Sequence, residues 1–200
     1  MATGRRYRKK RHPLRRFIIF LLIFTTAAGG LYFTIQNLDT AQTMLEKSLY
    51  PVKYSKFVEK AATEYDLDAA LIYSVIHTES HFDEDAESHA GAVGLMQVMP
   101  SSFEWLQKLR GTDLSENELM KPAVNIDYGC YLLRYFLNEY GTEQAAVAAY
   151  NAGFVVSDWL SDSSISPDGK TLVNIPYDET ANYVEKVATA KKMYIKLYFS

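Results

Sequence analysis

The stretch AALIYSVIHTES (Ala69–Ser80), followed by HFDEDAESHAGAVGLMQVMP (His81–Pro100), decides how this chain is read. Leu71, Ile72, Val75 and Ile76 recur at helical spacing, and Asp68 is placed to cap the first turn. Glu79 falls three residues after Ile76 and four after Val75, so it shares their apolar face at the point where the helix ends. A carboxyl there is costly to ionise. Desolvation raises its pKa, and the negative end of the helix dipole raises it further. Such a group keeps its proton near neutral pH, as the general acid of glycosidic cleavage must. The competing reading is a surface glutamate of ordinary pKa. The small and amide-bearing residues that follow, Ser80, Ser88, Gly91, Gly94 and Gln97, favour a polar ligand, because they let backbone and side chains approach one.

Outward from this stretch the pattern stays helical. Phe57, Val58, Ala61, Ala62 and Tyr65 form one stripe. Pro100 suits the first turn of a helix holding Phe103, Trp105, Leu106 and Leu109. A longer helix spans about Val124 to Tyr140, with Ile126, Cys130, Leu133 and Leu137 inward and Gly141 as its stop. Ala145–Tyr150 is Ala-rich and runs into Asn151-Ala152-Gly153. The last helix covers about Glu179 to Tyr198, with Val184, Val187 and Tyr194 inward. Between the last two, Pro167-Asp168-Gly169 signals a turn, and alternation over Thr171–Ile175 permits a short hairpin. The body is therefore read as mainly α with at most one small β-hairpin.

Charge divides the chain. Residues 1–16 hold eight of its 21 Lys and Arg and no acid, which leaves 13 bases against 24 acids in the remainder. An acidic body speaks against a nucleic-acid partner. Phe17–Ile35 is nineteen residues without a charge, roughly 28 Å as a helix and close to a bilayer core. The positive-inside rule puts the N-terminus in the cytoplasm and the body outside. A cleaved signal peptide is the alternative, with its cut near Ala27-Ala28, but Leu31, Tyr32, Phe33 and Ile35 extend the apolar run past those small residues. The expected organisation is a basic cytoplasmic segment (1–16), a transmembrane anchor (17–35), a stalk (36–52) and a catalytic body (53–200). No cysteine follows the apolar run to carry a lipid. Cys130 is the single cysteine, so no internal disulfide can form, and it reads as a small buried hydrophobe.

The run Glu79-Ser80, Ser88, GAVGLMQVMP (Gly91–Pro100) and AAYNAG (Ala148–Gly153) resembles the lytic transglycosylase family of the lysozyme-like superfamily. Asn125 with Gly129, and Pro176 with Glu179-Thr180 and Tyr183-Val184, look like its later signatures. The resemblance covers about residues 53–198. Several separated motifs in order are far more specific than GLMQ alone. It implies a lysozyme-like domain that cleaves the β-1,4 bond between N-acetylmuramic acid and N-acetylglucosamine of peptidoglycan, with no metal or other cofactor. It also implies Glu79 as the single acid and base, with a 1,6-anhydro product. Ser88 and Gln97 are implied to bind sugar, Met99 to pack on a sugar ring, Tyr150 to orient Glu79 or the acetamido group, and Asn151 to shape the site. Glu179 reads as a first-turn helix acid.

Rival readings compete with this one. A two-carboxylate hydrolase needs a second acid near Glu79, and Asp83, Glu84, Asp85 and Glu87 look like a solvated loop. Goose-type lysozymes share the superfamily and make hydrolysis the nearest enzymatic alternative. His77 and His81 have metal-ligand spacing, but Glu79 lies about 200° round the helix from both and could not serve that metal as base. The three histidines His77, His81 and His89 are expected to face solvent or the rim of the site. A non-catalytic wall-binding scaffold would have no need of a half-buried acid. The acidic body also implies modest affinity for an anionic wall polymer, or recruitment by protein partners.

Overall fold

The computed structural model describes residues 13–199, and the basic residues before Pro13 lie outside them. The chain divides into two units, Met1–Leu49 and Tyr50–Ser200. The described part of the first is one helix, α1 (Pro13–Leu49). It continues past the apolar run, so residues 36–49, read from sequence as a stalk, belong to the same helix. Its stretch Phe20–Leu49 is long and apolar enough to cross a membrane. Phe17, Phe24, Leu31 and Phe33 leave most of their surface uncovered, and Leu21 half of it. Thr25, Thr26, Thr34 and Thr40 turn their hydroxyls back onto carbonyls three or four residues earlier. That satisfies the hydroxyls within the helix, as an apolar solvent requires.

The second unit is built around α3 (Ala69–Ser80), buried continuously from Ala70 to Ile76. A helix apolar on all sides is a core helix, and further α-helices complete the unit. They are α2 (Ser55–Glu64), α4 (Pro100–Arg110), α5 (Pro122–Tyr140), α6 (Glu143–Ala152), α7 (Val156–Ser161) and α8 (Asp178–Tyr194). α8 lies along α3, α5 against α6, and α6 against α8. The architecture is mainly α, as expected. The sequence punctuation acts as read. Asp68 accepts from the Ala70 amide at 2.8 Å, and Pro100 begins α4. Gly141 closes α5 at φ 73°, its amide on the Leu137 carbonyl. Cys130 is fully buried, and burial pushes its thiol well up.

The sequence allows at most one small β-hairpin, and none forms at Thr171–Ile175, where no strand occurs. The turn does form: Asp168 accepts from the amides of Lys170 and Thr171 and from the Thr171 hydroxyl. The Gln144 side chain then takes both backbone groups of Leu172 at 3.0 and 3.1 Å, the bonds a partner strand would have made. Next, the inward stripe of α8 is Thr180, Tyr183, Val187, Ala190 and Tyr194. Val184 is only half-buried, and Leu137 of α5 likewise. Finally, His77 is partly covered by aromatic rings while still lining a pocket with His81. Its ring sits against Tyr50 at 4.8 Å and Tyr194 at 6.2 Å. Its pKa is lowered by burial and by the neighbouring His81.

Candidate active site

α3 ends in a conformation that costs energy. His81 and Phe82 are consecutive non-glycine residues at positive φ, 52° and 65°. The turn is held because Phe82 is buried in the core and the Ser80 hydroxyl donates to the Leu95 carbonyl at 2.8 Å. Glu79 therefore stands at a fixed helix end beside the loop 81–99.

That loop is locked from within and from below. Antiparallel bridges join Glu87 to Val93 and Val93 to Val98. From α5, the buried Asn125 donates to the carbonyls of Val93 (2.8 Å) and Leu119 (3.0 Å) and accepts from the Met96 amide (2.7 Å). The approach demands glycine. A Cβ on Gly94, at φ 76°, would fall 2.4 Å from the Asn125 amide nitrogen.

Glu79 is half-buried, and one of its oxygens accepts from the Tyr183 hydroxyl at 2.6 Å. Burial raises its pKa to about 7, against the opposing effect of that hydrogen bond. Tyr150 and Tyr183 are both pushed well above the usual phenol range by burial and by the nearby Glu79 charge. Both remain hydroxyl donors.

The other sequence-selected residues surround this group unequally. Tyr150 lies near enough to feel the Glu79 charge, but its hydroxyl donates to the Met96 carbonyl at 2.9 Å. Gln97, at φ 46°, spends its amide N–H groups on the carbonyls of Ala86 (3.0 Å) and Gly94 (2.9 Å). Its amide oxygen has no partner among the described residues. Asn151 accepts from the buried Thr180 hydroxyl at 2.7 Å, which ties the end of α6 to the start of α8. The Ser88 hydroxyl accepts from the Ala92 amide at 2.9 Å. Met99 is half-buried and stands outside the hydrophobic core cluster. Neither Ser88 nor Met99 hydrogen-bonds to Glu79 or the two tyrosines. Asp83, Glu84, Asp85 and Glu87 are exposed, and none bonds to Glu79. Sequence reading missed Tyr183 as the direct partner of Glu79. The available signal was its spacing, four residues before Val187 on the inward stripe.

The arrangement is thus a protonatable carboxyl, desolvated but not sealed, with two phenols and a rigid loop beside it. Residues 56–169, more than half of the chain, match the Transglycosylase SLT domain. The chain belongs to this lytic transglycosylase family. Among its relatives is the membrane-bound lytic murein transglycosylase C of Actinobacillus succinogenes, 38% identical over 112 residues, half of this chain and 31% of that protein. The protein of the same description from Cronobacter sakazakii is 36% identical over 71% of this chain and 46% of its own length. The chain therefore spans less than half the length of these curated relatives. The 70 kDa soluble lytic transglycosylase of Escherichia coli superposes with a TM-score of 0.68 at 26% identity, over 76% of this chain and 25% of that one. An inactive glutamate-to-glutamine mutant of the lytic transglycosylase Slt from Pseudomonas aeruginosa gives 0.65 at 30% identity, over 74% and 24%.

Proposed function

We propose that this chain is a peptidoglycan lytic transglycosylase and that Glu79 is its only acid and base. In the first step the Glu79 proton passes to the glycosidic oxygen. The bond from that oxygen to the muramyl anomeric carbon breaks, and the substrate's acetamido oxygen closes onto that carbon. Substrate assistance of this kind removes the need for a second carboxylate. In the second step the Glu79 carboxylate takes the proton of the muramyl 6-hydroxyl. The 6-oxygen attacks the anomeric carbon and displaces the acetamido oxygen, leaving a 1,6-anhydro end. Glu79 regains its proton and no water is consumed.

The observation that carries this reading is the Tyr183 hydroxyl donating at 2.6 Å to the half-buried Glu79 carboxyl, whose pKa burial raises to about 7. A group poised there can give a proton and take one back at neutral pH. Ser88, Gln97, Met99 and Asn151 are proposed to bind the sugars around it, with Tyr150 and Tyr183 orienting it. Residues 17–35 are proposed as a single membrane anchor, with residues 53–200 outside the cytoplasm and facing the wall. The length and composition of α1, the N-terminal basic cluster and the membrane-bound descriptions of the relatives support this.

The test is mass spectrometry of fragments released from purified sacculi by the detergent-solubilised chain. Anhydro-muramyl ends are expected. Reducing muramyl ends would select a hydrolase, and no release would select a wall-binding scaffold.

Tyr183→Phe tests the electrostatics separately. The Tyr183 hydroxyl favours the charged form of Glu79, so its removal moves the Glu79 pKa upward from about 7. The alkaline limb of kcat/KM is expected to shift up by about half to one pH unit, the equivalent of one hydrogen bond. An unshifted limb would show that Tyr183 does not act on Glu79.

A further inference from the structure

Two aromatic rings beside this site stay open to solvent although each is braced. Phe154 and Tyr177 are both 53% exposed. Each rests edge-on against a tryptophan, and the chain has two tryptophans. Phe154 meets Trp105 at 5.5 Å and 87°, with Phe136 behind it at 5.4 Å. Tyr177 meets Trp159 at 5.0 Å and 89°. Bracing by large neighbours fixes a ring before any ligand arrives, so binding orders little. The Tyr177 hydroxyl has no hydrogen-bond partner among the described residues.

In sequence, each ring lies close to one partner of a single hydrogen bond. Phe154 comes three residues after Asn151, and Tyr177 three residues before Thr180, whose hydroxyl holds Asn151 at 2.7 Å. Three residues of chain reach about 10 Å at most, so both rings lie within a short run of sugar units from Asn151. A pyranose offers an apolar C–H face and a polar rim. A half-exposed aromatic ring matches the face, and a free phenol hydroxyl matches the rim.

We propose that Phe154 and Tyr177 are sugar-stacking positions that hold successive units of a β-1,4-linked glycan on either side of Asn151. They would favour long strands over short ones. This rests on the glycan-cleaving reading of Glu79. The full chain in detergent, with Glu79→Gln to keep glycans intact, is titrated with chito-oligosaccharides of three and of six units. Phe154→Ala and Tyr177→Ala are each expected to weaken the hexamer about tenfold, the factor that 1.4 kcal/mol carries, with a much smaller change for the trimer. Phe154→Trp is expected to retain hexamer affinity, and Phe154→Leu, which fills space without a ring, to lose it. Unchanged hexamer affinity in both alanine variants overturns the proposal. So does an equal loss at both lengths, or full affinity in Phe154→Leu. Failure of the Glu79→Gln parent to bind either oligosaccharide overturns the glycan reading itself and this proposal with it.

Discussion

Glu79→Gln is expected to lower peptidoglycan cleavage by a factor of about 10³ or more, since general acid–base transfer alone contributes 10²–10⁴ and one group serves both steps. The amide has nearly the shape of the carboxyl, and its oxygen can still accept from Tyr183, so the site should stay intact. The same substitution should act on stability in the opposite direction. Folded Glu79 has a pKa of about 7 against an ordinary 4.5. A carboxyl raised on folding stabilises the fold fully below its unfolded pKa, and that contribution is lost as pH rises through 7. Glutamine loses nothing over that range. The variant should therefore gain about 2–4 kcal/mol over the parent between pH 4.5 and pH 8, read as a Tm difference that opens with pH. A variant that retains cleavage would remove Glu79 from the chemistry. A Tm difference equal at pH 4 and pH 8 would mean that its carboxyl is not desolvated.

What the sequence made legible were features set within a few residues. The Asp68 cap, the Pro100 start, the Gly141 stop and the continuous burial of α3 all depend on neighbours in the chain. Glu79 could be found because its place on the apolar face of α3 is set by spacing within that helix. Its partner Tyr183 is 104 residues away, and no local pattern joins them. The same holds for the hairpin that did not form. Alternation at Thr171–Ile175 was real, but Gln144 lies 28 residues from Leu172 in sequence and satisfies its backbone first. The aromatic neighbours of His77 are equally invisible to local pattern. Tyr50 and Tyr194, from opposite ends of the second unit, cover its ring. The exposed pair Phe154 and Tyr177 passed unnoticed for a related reason. Single exposed aromatics are ordinary, and only the fold puts both beside the Asn151–Thr180 bond.

Asn125→Ala is the largest expected structural effect in the second unit. The side chain is fully buried and makes three hydrogen bonds, two donated and one accepted, all to backbone. Alanine strips them together and leaves the Val93 and Leu119 carbonyls and the Met96 amide without that partner. At about 1 kcal/mol per lost bond, plus desolvation of groups left unsatisfied, the cost should reach about 3–4 kcal/mol. For a domain of this size that is a fall in Tm of about 10 °C. The effect should extend to chemistry below the melting range. Met96 is held by Asn125 through its amide and holds Tyr150 through its carbonyl, so a loosened loop releases the tyrosine beside Glu79. Asn125→Asp separates charge from volume. The carboxylate keeps the acceptor for Met96 but turns a charged oxygen toward two carbonyls, so its Tm should recover at acid pH, where protonation restores one donor. A Tm for Asn125→Ala within 2–3 °C of the parent, or for Asn125→Asp without pH dependence, would mean that another contact fixes the loop.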